Sequence, residues 1–247
     1  HDDIGWGLDY KYLENFGIQE VPHKKYLNDF LTGKYPNSFA RGELYNDDPR
    51  LGDARLCGTT ASLCGIERFG FEGNQEGVDR AVRYDITLHA FMLSQSGIPV
   101  IYSGDEIGQV NDYTYKDDPE KADDSRYLHR GNFDWKLAEN RHDPATVQGK
   151  LFPALDKLEH IRTSHDVFNS NVPIHTIDTW DNSILAFVRE NDEEKFIGIY
   201  NFSENDKVAW IDEEDGMYTD LISGQKLEAK GVQIPAFGCY WLCRSKK

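Results

Sequence analysis

Apolar residues recur at helical spacing through the first two thirds of the chain and at strand spacing in the last third. Tyr26, Leu27, Phe30 and Leu31 share one helical face, with Pro22 near the start and Gly33 just past the end, which predicts a helix over 22–31. A weaker pattern from Asp9 to Phe16 predicts a second, and the small residues from Thr59 to Ile66 read as a helix or a packed loop. From Glu76 to Ser96, Val78, Val82, Ile86 and Met92 line one side while Asp79, Arg80 and Arg83 line another. That is a surface helix with one buried stripe. Leu151, Leu155, Leu158 and Ile161 mark a last helix ending near His165.

After the 76–96 helix comes Gly97 to Gly108. Its front half is a short apolar run with Pro99 near the entry, bracketed by glycines, which predicts a buried strand. Asp105 and Glu106 follow where that run ends. Helix, strand and loop in this order form one unit of an α/β layer fold, whose sites are built at the C-terminal ends of parallel strands. The two carboxylates equally suit a cap that only holds the loop. Beyond Phe168 the period changes: Ile174-His175-Thr176-Ile177, Ser183 to Val188, Lys195 to Tyr200 and Gln233 to Cys243 read as strands, separated by turn signals at Asp181-Asn182, Asn191-Asp192 and Ser223-Gly224. Short strands at this spacing predict an antiparallel sandwich, with a domain boundary near residue 167.

The chain has 247 residues, 39% hydrophobic and 13% aromatic, enough for one large domain or two modest ones with a real core. A formal charge of -16 argues against nucleic acid and anionic membrane surfaces, both of which need basic patches. Neutral sugars remain compatible, since aromatic faces and paired carboxylates suit them. Cys57, Cys64, Cys239 and Cys243 form no Cys-x-x-Cys pair and have no histidine cluster beside them, so buried free thiols in a reducing compartment are expected, and no metal site or cofactor is read. With no apolar run of membrane-spanning length and no visible signal peptide, the expected location is the cytoplasm. His1 falls inside a motif, so the gene product is expected to begin further upstream.

Gly97-Ile98-Pro99-Val100-Ile101-Tyr102-Ser103-Gly104-Asp105-Glu106-Ile107-Gly108 resembles the eighth barrel strand of the α-amylase superfamily of glycoside hydrolases. His1-Asp2-Asp3-Ile4-Gly5-Trp6 resembles the motif after the seventh strand in amylosucrases and sucrose hydrolases. Ser38-Phe39-Ala40-Arg41-Gly42, Gly52-Asp53-Ala54-Arg55 and Asp123-Asp124-Ser125-Arg126 extend the likeness along nearly the whole chain. The resemblance implies an α/β fold: residues 1–167 as the C-terminal portion of a TIM (β/α)8 barrel, with 4–69 a helical insertion after strand seven that walls the pocket, then 168–247 as an all-β antiparallel sandwich domain.

The same resemblance implies roles. Asp2 is the third carboxylate, which opposes positive charge at the sugar carbon, His1 donates to a hydroxyl of the same sugar, and Asp3 lies toward the acceptor or fructosyl side. Arg55 lines the leaving-group side with Asp53 orienting it, and Arg126 closes the pocket floor against an aspartate upstream of this chain. Lys24 and Asn46 depart from the amylosucrase pattern, at outer subsites. The implied activity is glucosyl transfer from sucrose to an α-glucan or to water through a β-glucosyl-enzyme. A sucrose hydrolase or another α-glucosidase is the alternative within enzymes, and a non-catalytic carbohydrate-binding chain the alternative outside them. Asp105 and Glu106 are not the missing nucleophile and acid, because neighbouring strand residues point to opposite faces and cannot flank one sugar. The missing pair would come from an N-terminal barrel half, the chain's implied partner.

Overall fold

The computed structural model describes residues 4–211 and 216–246. Two compact units divide it: residues 1–82 with 102–148, and residues 83–101 with 149–247.

The first unit opens with Ile4–Gly5 (β1), Tyr10–Leu13 (α1) and Glu20–Leu31 (α2). Asp9 caps α1 by accepting from the Tyr12 N–H, and Pro22 sits in the first turn of α2, where its missing N–H has no helical partner to lose. Glu43–Asp48 (β2) and Asp53–Cys57 (β3) form a hairpin, and β1 completes an antiparallel sheet of order β1-β3-β2. One face of α2 docks on the hairpin through polar contacts. Lys24, only 7% exposed, donates to Asp53 at 2.5 Å and Glu20 at 2.6 Å. Asn28 accepts from Trp6 Nε1 at 2.8 Å and donates to the Gly52 carbonyl at 2.8 Å. Gly52 takes φ +73°, and a Cβ there would lie 3.0 Å from that of Lys24, so only glycine fits this docking.

The small-residue stretch is helical, as Thr60–Cys64 (α3), followed by Ile66–Phe71 (α4). Gly65 separates them at φ +101°, pressed against Phe39 and Phe69. The long amphipathic segment is the helix Gln75–Ser94 (α5).

Gly97 to Gly108 is not a strand. Among the described residues no strand pairs with it, and without a hydrogen-bonded neighbour an apolar run has no ladder to join. Ile98 and Val100 stand 93% and 71% exposed, and Asp105–Ile107 is a single 3-10 turn held between left-handed Gly104 and Gly108. Glu106 accepts from the Gly104 N–H at 2.8 Å, so it acts as a cap on its own loop. The acidic loop beyond it is partly built by its carboxylates. Asp112 and Asp124 cap the 3-10 turns Tyr113–Asp117 and Ser125–His129, and Asp134 caps Trp135–Ala138 (α6).

In the second unit Val147–Ser164 (α7) precedes eight strands: His175–Ile177 (β4), Ile184–Glu190 (β5), Glu194–Asn201 (β6), Lys207–Ala209 (β7), Met217–Asp220 (β8), Lys226–Glu228 (β9), Val232–Ile234 (β10) and Cys239–Ser245 (β11). Six form an antiparallel sheet of order β4-β5-β6-β11-β8-β9, while β7 and β10 pair separately. The run Gln233 to Cys243 is two strands, because Pro235 lacks a donor and Phe237 turns the chain at φ +51°.

Strand alternation gives the large sheet two buried faces. Phe187, Phe196, Tyr200 and Trp241 pack against Ala90 and Leu93 of α5 and Leu151, Leu155 and Leu158 of α7. Ile184, Ala186, Val188, Ile197, Ile199 and Leu242 pack against Ala209, Val232 and Ile234 of the small sheet. Each valine, leucine, isoleucine or phenylalanine among them contributes about 1.5–3 kcal/mol by leaving water. Arg189, wholly buried, donates to the Ser94 carbonyl at 2.9 Å and to the Asn169 and Val172 carbonyls at 2.7 and 3.2 Å, tying the end of α5 to the 169–172 turn. Among the described residues no helix is long and apolar enough to cross a membrane.

Candidate functional site

The β1-β3-β2 sheet assembles the described candidate residues. Gly5, Arg55 and Tyr45 are register partners across its three strands, so they share one face, while Ile4, Leu56 and Leu44 occupy the other. Leu56 is buried, which turns Arg55 outward. The Arg55 guanidinium leans over Gly5, with Nη1 3.5 Å from where a Cβ would stand.

Arg126 arrives from the Ser125–His129 turn, which Ser125 pins to β2 by donating to the Leu44 carbonyl at 2.9 Å. Its guanidinium stacks over Tyr45 at 4.3 Å, within the range of an attractive cation–π contact. Nε and Nη2 donate to the two oxygens of Asp124 at 2.8 and 2.7 Å. This fork holds the Asp124 carboxyl below the usual carboxylate range. Arg55 and Arg126 thus both meet Tyr45, one as its register partner and the other stacked on its ring, although 71 positions separate them in the chain. Asp53 binds Lys24, so its carboxylate supports the hairpin turn. Lys24, in turn, is buried in that pair, and the Asp53 and Glu20 hydrogen bonds push its ammonium pKa well above the ordinary lysine range, so it stays charged. His1, Asp2 and Asp3 lie outside the described residues.

Beside Tyr45 lies a cavity of about 470 Å³. Its wall includes Glu43, Asn46, Asp47, Lys116 and Asp123. Asn46 adopts φ +52° where the β2-β3 pairing shifts register, which turns the strand edge toward the cavity. Glu43 accepts from both the Tyr115 hydroxyl and Lys116. Burial and Glu43 together push the Tyr115 hydroxyl above its ordinary range, so it stays protonated and donates. Tyr45, Glu43, Tyr115 and Lys116 were not foreseen. Tyr45 comes opposite Arg55 because the hairpin turns over 49–52 and the pairing shifts register between Tyr45 and Asp48, an irregularity that no sequence pattern marks.

No family model matches this chain. Over 166 residues, 66% of its length, it is 29% identical to glucosylglycerate phosphorylase of Escherichia coli (strain K12). It spans 28% of the length of that protein. Among solved structures, AmyP in complex with maltose superimposes with TM-score 0.52 and 19% identity, covering 66% of this chain and 35% of AmyP. The trehalose-6-phosphate hydrolase TreA of Bacillus licheniformis gives 0.50 and 16%, covering 66% and 39%. At these identities the two structures show likeness of fold alone. Relative and fold neighbours together support a relationship to the α-amylase superfamily of glycoside hydrolases. Enzymes of that superfamily are built on TIM barrels, and the similarity in fold takes in about two thirds of this chain.

Proposed function

We propose that the chain is the C-terminal part of an amylosucrase-like retaining enzyme acting on sucrose. It would release fructose, form a β-glucosyl-enzyme and pass the glucosyl unit to an α-glucan or to water. Residues 1–167 would complete a barrel whose nucleophile and acid/base come from upstream, and 168–247 would be its β domain. The reading rests most on one arrangement: Arg55 beside Tyr45 on the sheet face that also carries Gly5, two residues after Asp3, with Arg126 stacked on the Tyr45 ring.

Two carboxyl groups roughly 5–5.5 Å apart carry out retaining cleavage through an oxocarbenium-like state. Asp2 would oppose the positive charge of that state. His1 would bind a hydroxyl of the same sugar, Asp3 would face the fructosyl side, Arg55 would bind the leaving group, and Arg126 would floor the pocket. Arginine suits both positions because its planar fork keeps its charge when desolvated. The cavity walled by Asn46 and Lys116 would receive the acceptor.

The phosphorylase relative favours a second reading, in which inorganic phosphate takes the glucosyl unit. Product analysis separates the two. The full-length protein is incubated with sucrose, with and without phosphate. Our reading expects fructose release that does not depend on phosphate, with glucan or glucose as the second product. Fructose release that requires phosphate and yields glucose 1-phosphate would replace it with the phosphorylase, and equimolar glucose and fructose alone would narrow it to a sucrose hydrolase. No sucrose turnover would overturn both.

A further inference from the structure

The sequence gives no histidine near a cysteine, yet the second unit brings one to Cys243. His165 closes α7, Glu194 opens β6, and Cys243 lies on β11. Ser245 pairs with Glu194 and Cys243 with Phe196, so Glu194 and Cys243 are diagonal neighbours on the same face of the sheet. His165 is positioned by the 3-10 turn that follows it, whose Phe168 ring packs 4.8 Å from Phe196 and 5.1 Å from Trp241. His165 Nδ1 lies 2.7 Å from Glu194 Oε2, and the Cys243 thiol donates to the same oxygen at 3.4 Å. One ligand atom from each of the three lies within 4.8 Å of the others. They open onto a cavity of about 390 Å³ also lined by Asp166 and Glu193.

We propose that His165, Glu194 and Cys243 form a binding site for a borderline-soft divalent cation of the zinc class, with water from the cavity as fourth ligand. Zinc bonds of about 2.0–2.3 Å set tetrahedral ligand atoms roughly 3.3–3.8 Å apart. The 3.4 Å between Cys243 and Glu194 lies in that range, and the 2.7 Å between His165 and Glu194 must widen to admit the ion. His165 keeps 28% of its side-chain surface and lines the cavity, so its ring has open space in which to move and admit the ion. A mixed nitrogen, sulfur and oxygen set selects zinc over magnesium or calcium, which take oxygen alone. Charge favours a dication as well, since Asp166, Glu193 and Glu194 all border the cavity. The Val167 N–H donates to Glu194 Oε1 at 3.0 Å and fixes the carboxylate, leaving Oε2 for the ion. As the metal binds, the thiol proton passes to solvent, and the imidazole proton shared between Nδ1 and Glu194 is exchanged through solvent for one on Nε2, which frees Nδ1 for the ion. No electron is transferred.

The site is separate from the proposed sugar chemistry and is tested without it. Cobalt(II) is titrated into the 247-residue chain as a spectroscopic probe, and zinc is then added in competition. We expect a near-ultraviolet sulfur-to-cobalt charge-transfer band at one equivalent, bleached by zinc. Cys243→Ser should abolish the band, and His165→Gln should weaken binding by at least about tenfold. Zinc-edge X-ray absorption on the unaltered chain needs no variant, and should return a single sulfur neighbour at about 2.3 Å. Absence of the band, its persistence in Cys243→Ser, or a zinc shell without sulfur would overturn the proposal.

Discussion

Two residues with different proposed roles should fail in different ways. Asp2→Asn in the full-length enzyme keeps shape and some hydrogen bonding but removes the charge, so kcat on sucrose should fall by two or more orders of magnitude, on the scale of about 2.7–4 kcal/mol for a lost preorganised contact. An effect confined to KM would make Asp2 an ordinary binding group. Arg55→Ala should instead raise KM for sucrose and alter the ratio of transfer to hydrolysis. Glu194 offers a test by pH. Burial alone would raise its carboxyl, but the His165 and Val167 hydrogen bonds outweigh burial and leave it below the ordinary glutamate value. A depressed folded value means that this group stabilises the fold above about pH 4.3, its unfolded value, and that the contribution is lost as pH falls through the folded value. Acid unfolding followed in the presence of chelator should therefore be shallower in Glu194→Gln than in the parent, and an identical acid limb would contradict this. Side-chain roles were the least legible part of the sequence. Asp53 sits two residues from Arg55, but its partner Lys24 comes from α2, 29 positions away, which no local spacing reveals.

Elements were legible where periodicity was long. The helices at 20–31 and 75–94 and the strands at 184–190 and 194–201 fall close to their expected bounds, although in 20–31 the buried residues are Lys24 and Asn28 rather than the apolar stripe that marked it. Strands β7, β8 and β9 have three or four residues each, too short to show a period. Gly97 to Gly108 misled for another reason: composition marks a segment as able to form a strand, but only a neighbouring strand makes it one. Arg189 joins elements in a way no pattern predicts, since a charged residue at the end of a strand reads as solvated. Burial lowers its guanidinium to about 10, and the carbonyls of Ser94, Asn169 and Val172 are its partners. Arg189→Met should fill the volume but strand those carbonyls, costing about 2–4 kcal/mol in denaturant unfolding of the second unit. A loss below about 0.5 kcal/mol would show that the carbonyls find other partners.

On the scale of the whole molecule, helices and strands of the second unit share one core, since Phe196, Tyr200 and Trp241 lie against α7. Limited proteolysis should therefore leave a resistant piece that keeps α7, and a resistant piece starting after Phe168 would contradict this, because it would expose those aromatic rings. On our reading the 247-residue chain alone should not turn over sucrose, because the nucleophile and acid/base would come from upstream residues. The central claim is glucosyl transfer with retention, completed by upstream residues. Proton NMR of the full-length enzyme during the first minutes on sucrose tests it most directly, before the released sugar mutarotates. Our account predicts that the glucosyl product appears first as the α-anomer; a β-anomer appearing first would contradict it.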